Sequence, residues 1–128
     1  MVYLLRTENE RRKVFVDYIT INIEVGMPTV ERARIRLEQE LRSAKSRRVS
    51  AVKIIHGYGS TGKGGAIKRD VQVCLDEKKR AGQIKAFVPG ERFSPFDADA
   101  RQIVTACSPL TKDRDYTKSN HGITVVLL

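Results

Sequence analysis

Apolar residues recur along this chain with two periods. From Val14 to Val25, Ile19, Ile21, Ile23 and Val25 alternate with Thr20, Asn22 and Glu24, which is the pattern of a strand with one buried and one wet face. Gly26-Met27-Pro28 breaks it. Val30, Ala33, Leu37, Leu41 and Ala44 then repeat at helical spacing, with Thr29 placed to cap a helix that runs to about Ser46. Val52 to Ile55 predicts a β-branched strand, and Ile67, Val71, Cys74, Leu75 and Lys78 mark the inner edge of a second helix closed by Gly82. Ile84 to Val88 reads as a third core strand ended by Pro89-Gly90. Asp97 would cap a short helix with Ala100, Ile103, Val104 and Cys107 inward. Lys112 to Asn120 is polar and reads as an exposed loop, and His121-Gly122 turns the chain into a last strand, Ile123 to Leu128. Met1 to Leu5 predicts a short edge strand.

The order is therefore β-α-β-α-β, a helical insertion, then β. Helix-length crossovers imply parallel pairing for the first strands, and shorter turns allow a mixed sheet later. The architecture expected is α/β: a two-layer sandwich, with a mixed sheet of about four strands and two long helices packed on one face. Residues 1–18 form an N-terminal arm and edge strand, and residues 19–128 the domain, with an insertion at about 93–120. A chain of 128 residues can bury a core as one domain without staples. No apolar run reaches membrane-spanning length, and Arg6, Glu8, Glu10, Arg11 and Arg12 interrupt any signal-peptide pattern, so the expected location is the cytoplasm.

Charge changes the picture. Twenty-four Lys and Arg against fifteen Asp and Glu leave a net charge of +9, a field that favours polyanions, nucleic acid before a membrane surface. The first helix carries Arg32, Arg34, Arg36, Arg42 and Lys45 on its outer positions. Arg34, Glu38 and Arg42 at i, i+4 spacing suit a salt-paired solvated face, while Arg32 and Arg36 suit one that tracks phosphates. Cys74 and Cys107 are far apart on apolar positions and read as buried thiols, with no ligand-spaced pair for zinc.

The candidate chemistry gathers between the second strand and second helix. His56-Gly57-Tyr58-Gly59-Ser60-Thr61-Gly62-Lys63-Gly64-Gly65 leaves a backbone poor in Cβ atoms, whose amides can converge on an anion at a helix N-terminus. Lys63, Lys68 and Arg69 set cations around that turn, and His56 ends the strand with a titratable ring. Tyr58 could stack on an unpaired base. The dinucleotide fingerprint is met at Gly57, Gly59 and Gly62, yet Asp76, at about the right ~20-residue spacing, falls inside the helix. A P-loop fails because Gly64 stands where a Ser or Thr would ligate magnesium.

The stretch from Val52 through His56-Gly57-Tyr58-Gly59 to Ile67-Lys68 resembles the core motif of Smr (small MutS-related) domains. The resemblance extends to Thr29-Val30-Glu31-Arg32-Ala33, to the Pro89-Gly90-Glu91 turn and to the closing His121-Gly122-Ile123-Thr124-Val125-Val126-Leu127 stretch. It implies a standalone member with a sandwich related to the C-terminal domain of translation initiation factor 3. It also implies binding of structured or branched DNA or RNA and, in many members, structure-dependent nicking of the phosphodiester backbone. The family's first motif is Leu-Asp-x-His-Gly; here Ile23-Glu24-Val25-Gly26-Met27 keeps a carboxylate but has Gly26 for the histidine. Two readings follow. In one the domain is a nuclease, with His56 as acid–base or phosphate-polarising group, Glu24 as base or metal ligand, and Mg2+ or Mn2+ as cofactor. In the other it is a binding module without catalysis or cofactor, gripping nucleic acid, or an adaptor holding an acidic protein.

Overall fold

The computed structural model describes residues 16–58 and 63–128. The strand expected at Met1–Leu5 and the loop glycines Gly59 and Gly62 lie outside these residues. The elements run β1 (Val16–Asn22), α1 (Val30–Ser46), β2 (Val49–Ile55), α2 (Lys63–Arg80), β3 (Ala86–Pro89), α3 (Ala98–Ala106) and β4 (Ile123–Leu127). Short 3-10 turns follow β3 at Gly90–Arg92 and α3 at Ser108–Lys112. The sheet order is β1-β2-β4-β3. β1 pairs parallel to β2, with Ile21 opposite Ile54, while β4 runs antiparallel between β2 and β3, with Val125 opposite both Lys53 and Val88. The sheet is thus mixed, as expected.

Local chemistry sets the helix ends. The Thr29 hydroxyl accepts from the Arg32 amide at 3.2 Å and the Asp97 carboxylate from the Ala100 amide at 2.9 Å, each satisfying a donor the first turn leaves unpaired. Gly82, at φ +73°, ends α2. β1 stops at Asn22, not Val25, because the Asn22 side chain accepts from the Glu24 amide and Gly26 and Met27 turn the chain at φ +80° and +50°.

Alternation along the strands sorts the core into two layers. On one face Ile21, Val52, Ile54 and Val126 meet Ala33, Leu37 and Leu41 of α1 and Ile67, Val71 and Leu75 of α2. Asp70 of α2 binds the Arg34 guanidinium of α1 through two hydrogen bonds, at 2.9 and 3.1 Å. Both cysteines are buried and unbridged; burial first pushes the Cys74 thiol up to about 12 and that of Cys107 to about 11.

The opposite face is covered too. Ala51, Val88 and Val125 pack under Phe93, Leu110 and the inner side of α3, Ala100 and Ile103. Here one expectation is corrected: Lys112–Asn120 is not a loop lying free in solvent. Asp115 is buried, Tyr116 meets Phe93 edge-on at 4.9 Å, and Asp113 and Asp115 hold the Lys53 ammonium between them. Lys53 points to the face that this segment covers, so two of the segment's acids turn inward to meet it.

Candidate nucleic-acid interface

The C-terminal end of β2 and the turn into β4 lie back to back. The amides of His56 and Gly57 both donate to the Gly122 carbonyl, at 3.0 and 3.1 Å. A Cβ on Gly122 would stand 3.6 Å from the Gly57 Cα, and one on Gly57 would run into the Glu24 carboxylate. Gly57 is at φ +73°, so this position needs glycine for its conformation and for its close neighbours.

His56 was expected to face a bound anion; its ring is instead fully buried. Nδ1 lies 2.7 Å from the Gly57 carbonyl, which can only accept, so that nitrogen carries the proton. The Thr124 hydroxyl then donates to Nε2 at 2.9 Å. Burial, outweighing the hydrogen bond to Gly57, lowers the pKa and keeps the ring neutral. Both ring nitrogens are committed, and the imidazole braces the Gly57 peptide from below.

Glu24 is exposed in the turn after β1, with its carboxylate against Gly57. Arg36 steadies that turn by donating to the Val25 carbonyl at 2.6 Å, so this arginine braces the protein's own backbone. Glu24 lines a groove of about 550 Å³ together with Lys53, Asp113, Arg114 and Asn120. The other carboxylates there are engaged: Asp113 by Lys53, the Tyr18 hydroxyl and the Asp115 amide, and Asp115 by Lys53 and the Asn120 amide. Burial works against all three charges. The mutual contacts outweigh it, lowering both aspartates and raising Lys53. Asn120 in turn accepts from the Gly122 amide at 2.8 Å, so the buried ion cluster reaches the Gly57 turn through one side chain. Among the described residues no group of three His, Cys, Asp or Glu is arranged to hold a metal.

On the other side of Gly57 lies Lys68. It too departs from the phosphate contact expected of it, being buried, with its ammonium bound to the Glu91 carboxylate at 2.8 and 2.9 Å and to the His121 carbonyl at 3.0 Å. Glu91 is held below its usual range, since these contacts outweigh its burial. The Lys68 ammonium also stands 5.0 Å from the centre of the exposed Tyr58 ring. Arg69 is exposed beside it, Gly65 lies in the first turns of α2 under the Arg69 guanidinium, and Arg32 is exposed in the first turn of α1. Lys63 and Gly64 open α2. Lys53, Asp113, Asp115, Asn120 and Glu91 were not singled out from sequence; the one signal for them was a lysine inside the apolar run Val52-Lys53-Ile54-Ile55.

Comparison with known proteins gives a consistent result. The family model described as the Smr domain matches residues 25–93, from the Glu24 turn through α2 and β3 to the start of the insertion. The crystal structure of the Smr domain of Thermus thermophilus MutS2 is similar, with a TM-score of 0.51 and 22% sequence identity, covering 88% of this chain and 98% of that one. At that identity the likeness speaks for the fold. No curated protein matches the chain.

Proposed function

The chain belongs to the Smr domain family, and on that footing we propose that it binds structured or branched nucleic acid, DNA or RNA, by its sugar–phosphate backbone at the Gly57 turn. The observation that carries this reading is the charge arrangement around that turn. Arg69 beside Lys68 and Arg32 in the first turn of α1 are exposed, whereas Asp70 and Glu91 are spent on Arg34 and Lys68, which leaves Glu24 as the carboxylate at the turn itself. A chain of net charge +9 attracts phosphate, and the hydrogen bonds to Gly122 and from His56 that hold Gly57 lower the ordering cost of that residue at binding.

A second reading, phosphodiester nicking, rests on Glu24. Its carboxylate, the one in the groove that no described side chain engages, stands at the open side of Gly57. There it can accept a proton from a water attacking phosphorus. A divalent cation, which would polarise the phosphoryl oxygens, would be held by Glu24 together with oxygens of the substrate. His56, with both nitrogens committed, contributes as a positioning residue.

Binding of labelled DNA and RNA hairpins at graded salt tests the main reading. The logarithm of affinity should fall linearly with the logarithm of salt concentration, at about −0.7 to −0.9 per phosphate contacted. A flat response refutes it and favours an acidic protein partner. Plasmid nicking with Mg2+ or Mn2+ by the native protein, abolished in Glu24→Gln while His56→Asn alters it only in step with stability, would establish the second reading. No nicking by the native protein leaves the domain a binding module.

A further inference from the structure

We propose that Tyr58 and His121 form a stacking platform for one unpaired base, so that the ligand class is nucleic acid presenting an unstacked nucleotide beside the gripped backbone. This rests on the nucleic-acid reading above and sharpens it. The two rings come from separate parts of the chain, 5.1 Å apart between centres and tilted by 47°. Both are open to solvent: Tyr58 is 61% exposed and the His121 side chain 49%. Two rings held side by side in the open offer a surface that the π-face of any base can cover.

The rings are not free to drift. The buried Lys68 ammonium lies against the Tyr58 ring, a cation–π contact. The same ammonium binds the His121 carbonyl, and Glu91 reaches both Lys68 and, at 3.6 Å, His121 Nδ1. The segment delivering His121 is costly in conformation. Thr117 and Ser119 take φ of +66° and +55°, and Thr is among the residues least suited to that region. Asn120 then locks the turn between Asp115 and Gly122. So much constraint serves little purpose for a side chain that only fills a turn. Arg69 and Arg92 line a shallow groove of about 660 Å³ with Asp76 and Glu91, the last of which also reaches His121, so two guanidinium groups stand beside the platform for the phosphates that flank a stacked base.

The test compares three labelled duplexes: one with a single bulged adenine, one with an abasic nucleotide at the same bulge, and one fully paired. The abasic duplex keeps the phosphate and the kink and removes only the base. Fluorescence anisotropy should show the bulged adenine binding about 5- to 150-fold tighter than the abasic bulge, the range a single base–aromatic stack supports. That ratio should fall to about one in Tyr58→Ala, persist in Tyr58→Phe, and drop part of the way in His121→Ala. Because it is taken within each variant, a general loss of fold or charge does not mimic the effect. Equal binding of adenine and abasic bulges by the native protein, or a ratio that survives Tyr58→Ala, overturns the platform and leaves backbone binding standing. Failure to bind any of the three at low salt overturns both.

Discussion

Replacing Lys53 with methionine is the sharpest test of how the site is supported. Lys53 is 5% exposed, 3.0 Å from Asp113 and in contact with Asp115. Methionine keeps most of the stem and removes the charge, leaving two buried carboxylates facing each other without a cation. Removing one partner of a buried ion pair costs about 3–5 kcal/mol. For 128 residues the unfolding entropy makes that a fall of roughly 10–20 °C in Tm. The pH dependence has a definite sign. Both aspartates are held below their ordinary range in the native protein, so their stabilisation is present above an unfolded carboxylate pKa of about 4 and is lost as pH falls through the lower native value. In Lys53→Met the same carboxyls lose their cation and protonate more readily. The gap between native and variant should therefore narrow from pH 7 to pH 4. Urea unfolding at both values measures it, and adding Asp113→Asn and Asp115→Asn should recover much of the loss. A gap below about 1 kcal/mol, the range of an exposed pair, or one unchanged by acid would refute the reasoning.

Other outcomes follow from the same geometry. Because Asp115 holds Asn120, Lys53→Met should also lower the preference for a bulged adenine in the anisotropy assay, at a temperature where the variant is folded. His56 is kept neutral by burial, so the unfolded chain takes up a proton that the native one resists; stability should fall between pH 7.5 and 5.5, by at most about 1.4 kcal/mol, and urea unfolding of His56→Asn should lack that slope. Gly90→Ala would press a methyl into the Asn120 carbonyl and the Ile123 side chain; thermal melting should show a loss of about 1–3 kcal/mol, whereas Gly65→Ala, meeting only the tip of Arg69 at 3.5 Å, should show none.

The four described strands, the helices and the caps at Thr29, Gly82 and Asp97 were legible because they follow local rules: period, a Thr or Asp before an apolar repeat, a glycine after it. The inward direction of His56 was written in the same pattern. It shares the even register of Val52 and Ile54, which face α1 and α2, so a ring at position 56 turns inward. Lys53, on the odd register, was equally informative, since a lysine in a central strand needs a counter-charge from whatever covers that face. What could not be read was which carboxylates supply it. Asp113 and Asp115 lie some sixty residues along the chain, and a polar run looks the same in solvent as it does folded over a buried ammonium. Lys68 eluded the pattern for a similar reason, because Glu91 meets it only after β3 has crossed the sheet.

The long passage from β3 to β4 is the step that joins these parts. The two strands are antiparallel neighbours, which a two-residue hairpin could connect; residues 90–122 are therefore not needed for the pairing. They do three other things. α3 and Phe93 seal the second face of the sheet, Asp113 and Asp115 neutralise the lysine that this face carries, and Asn120 hands the chain to Gly122 with His121 against Tyr58. The first two tasks account for burial and charge. The third gives the two non-glycine residues in the left-handed region a purpose: a hairpin between β3 and β4 would keep the strand pairing, yet leave Tyr58 without His121 beside it and the Gly57 turn without the segment that backs it.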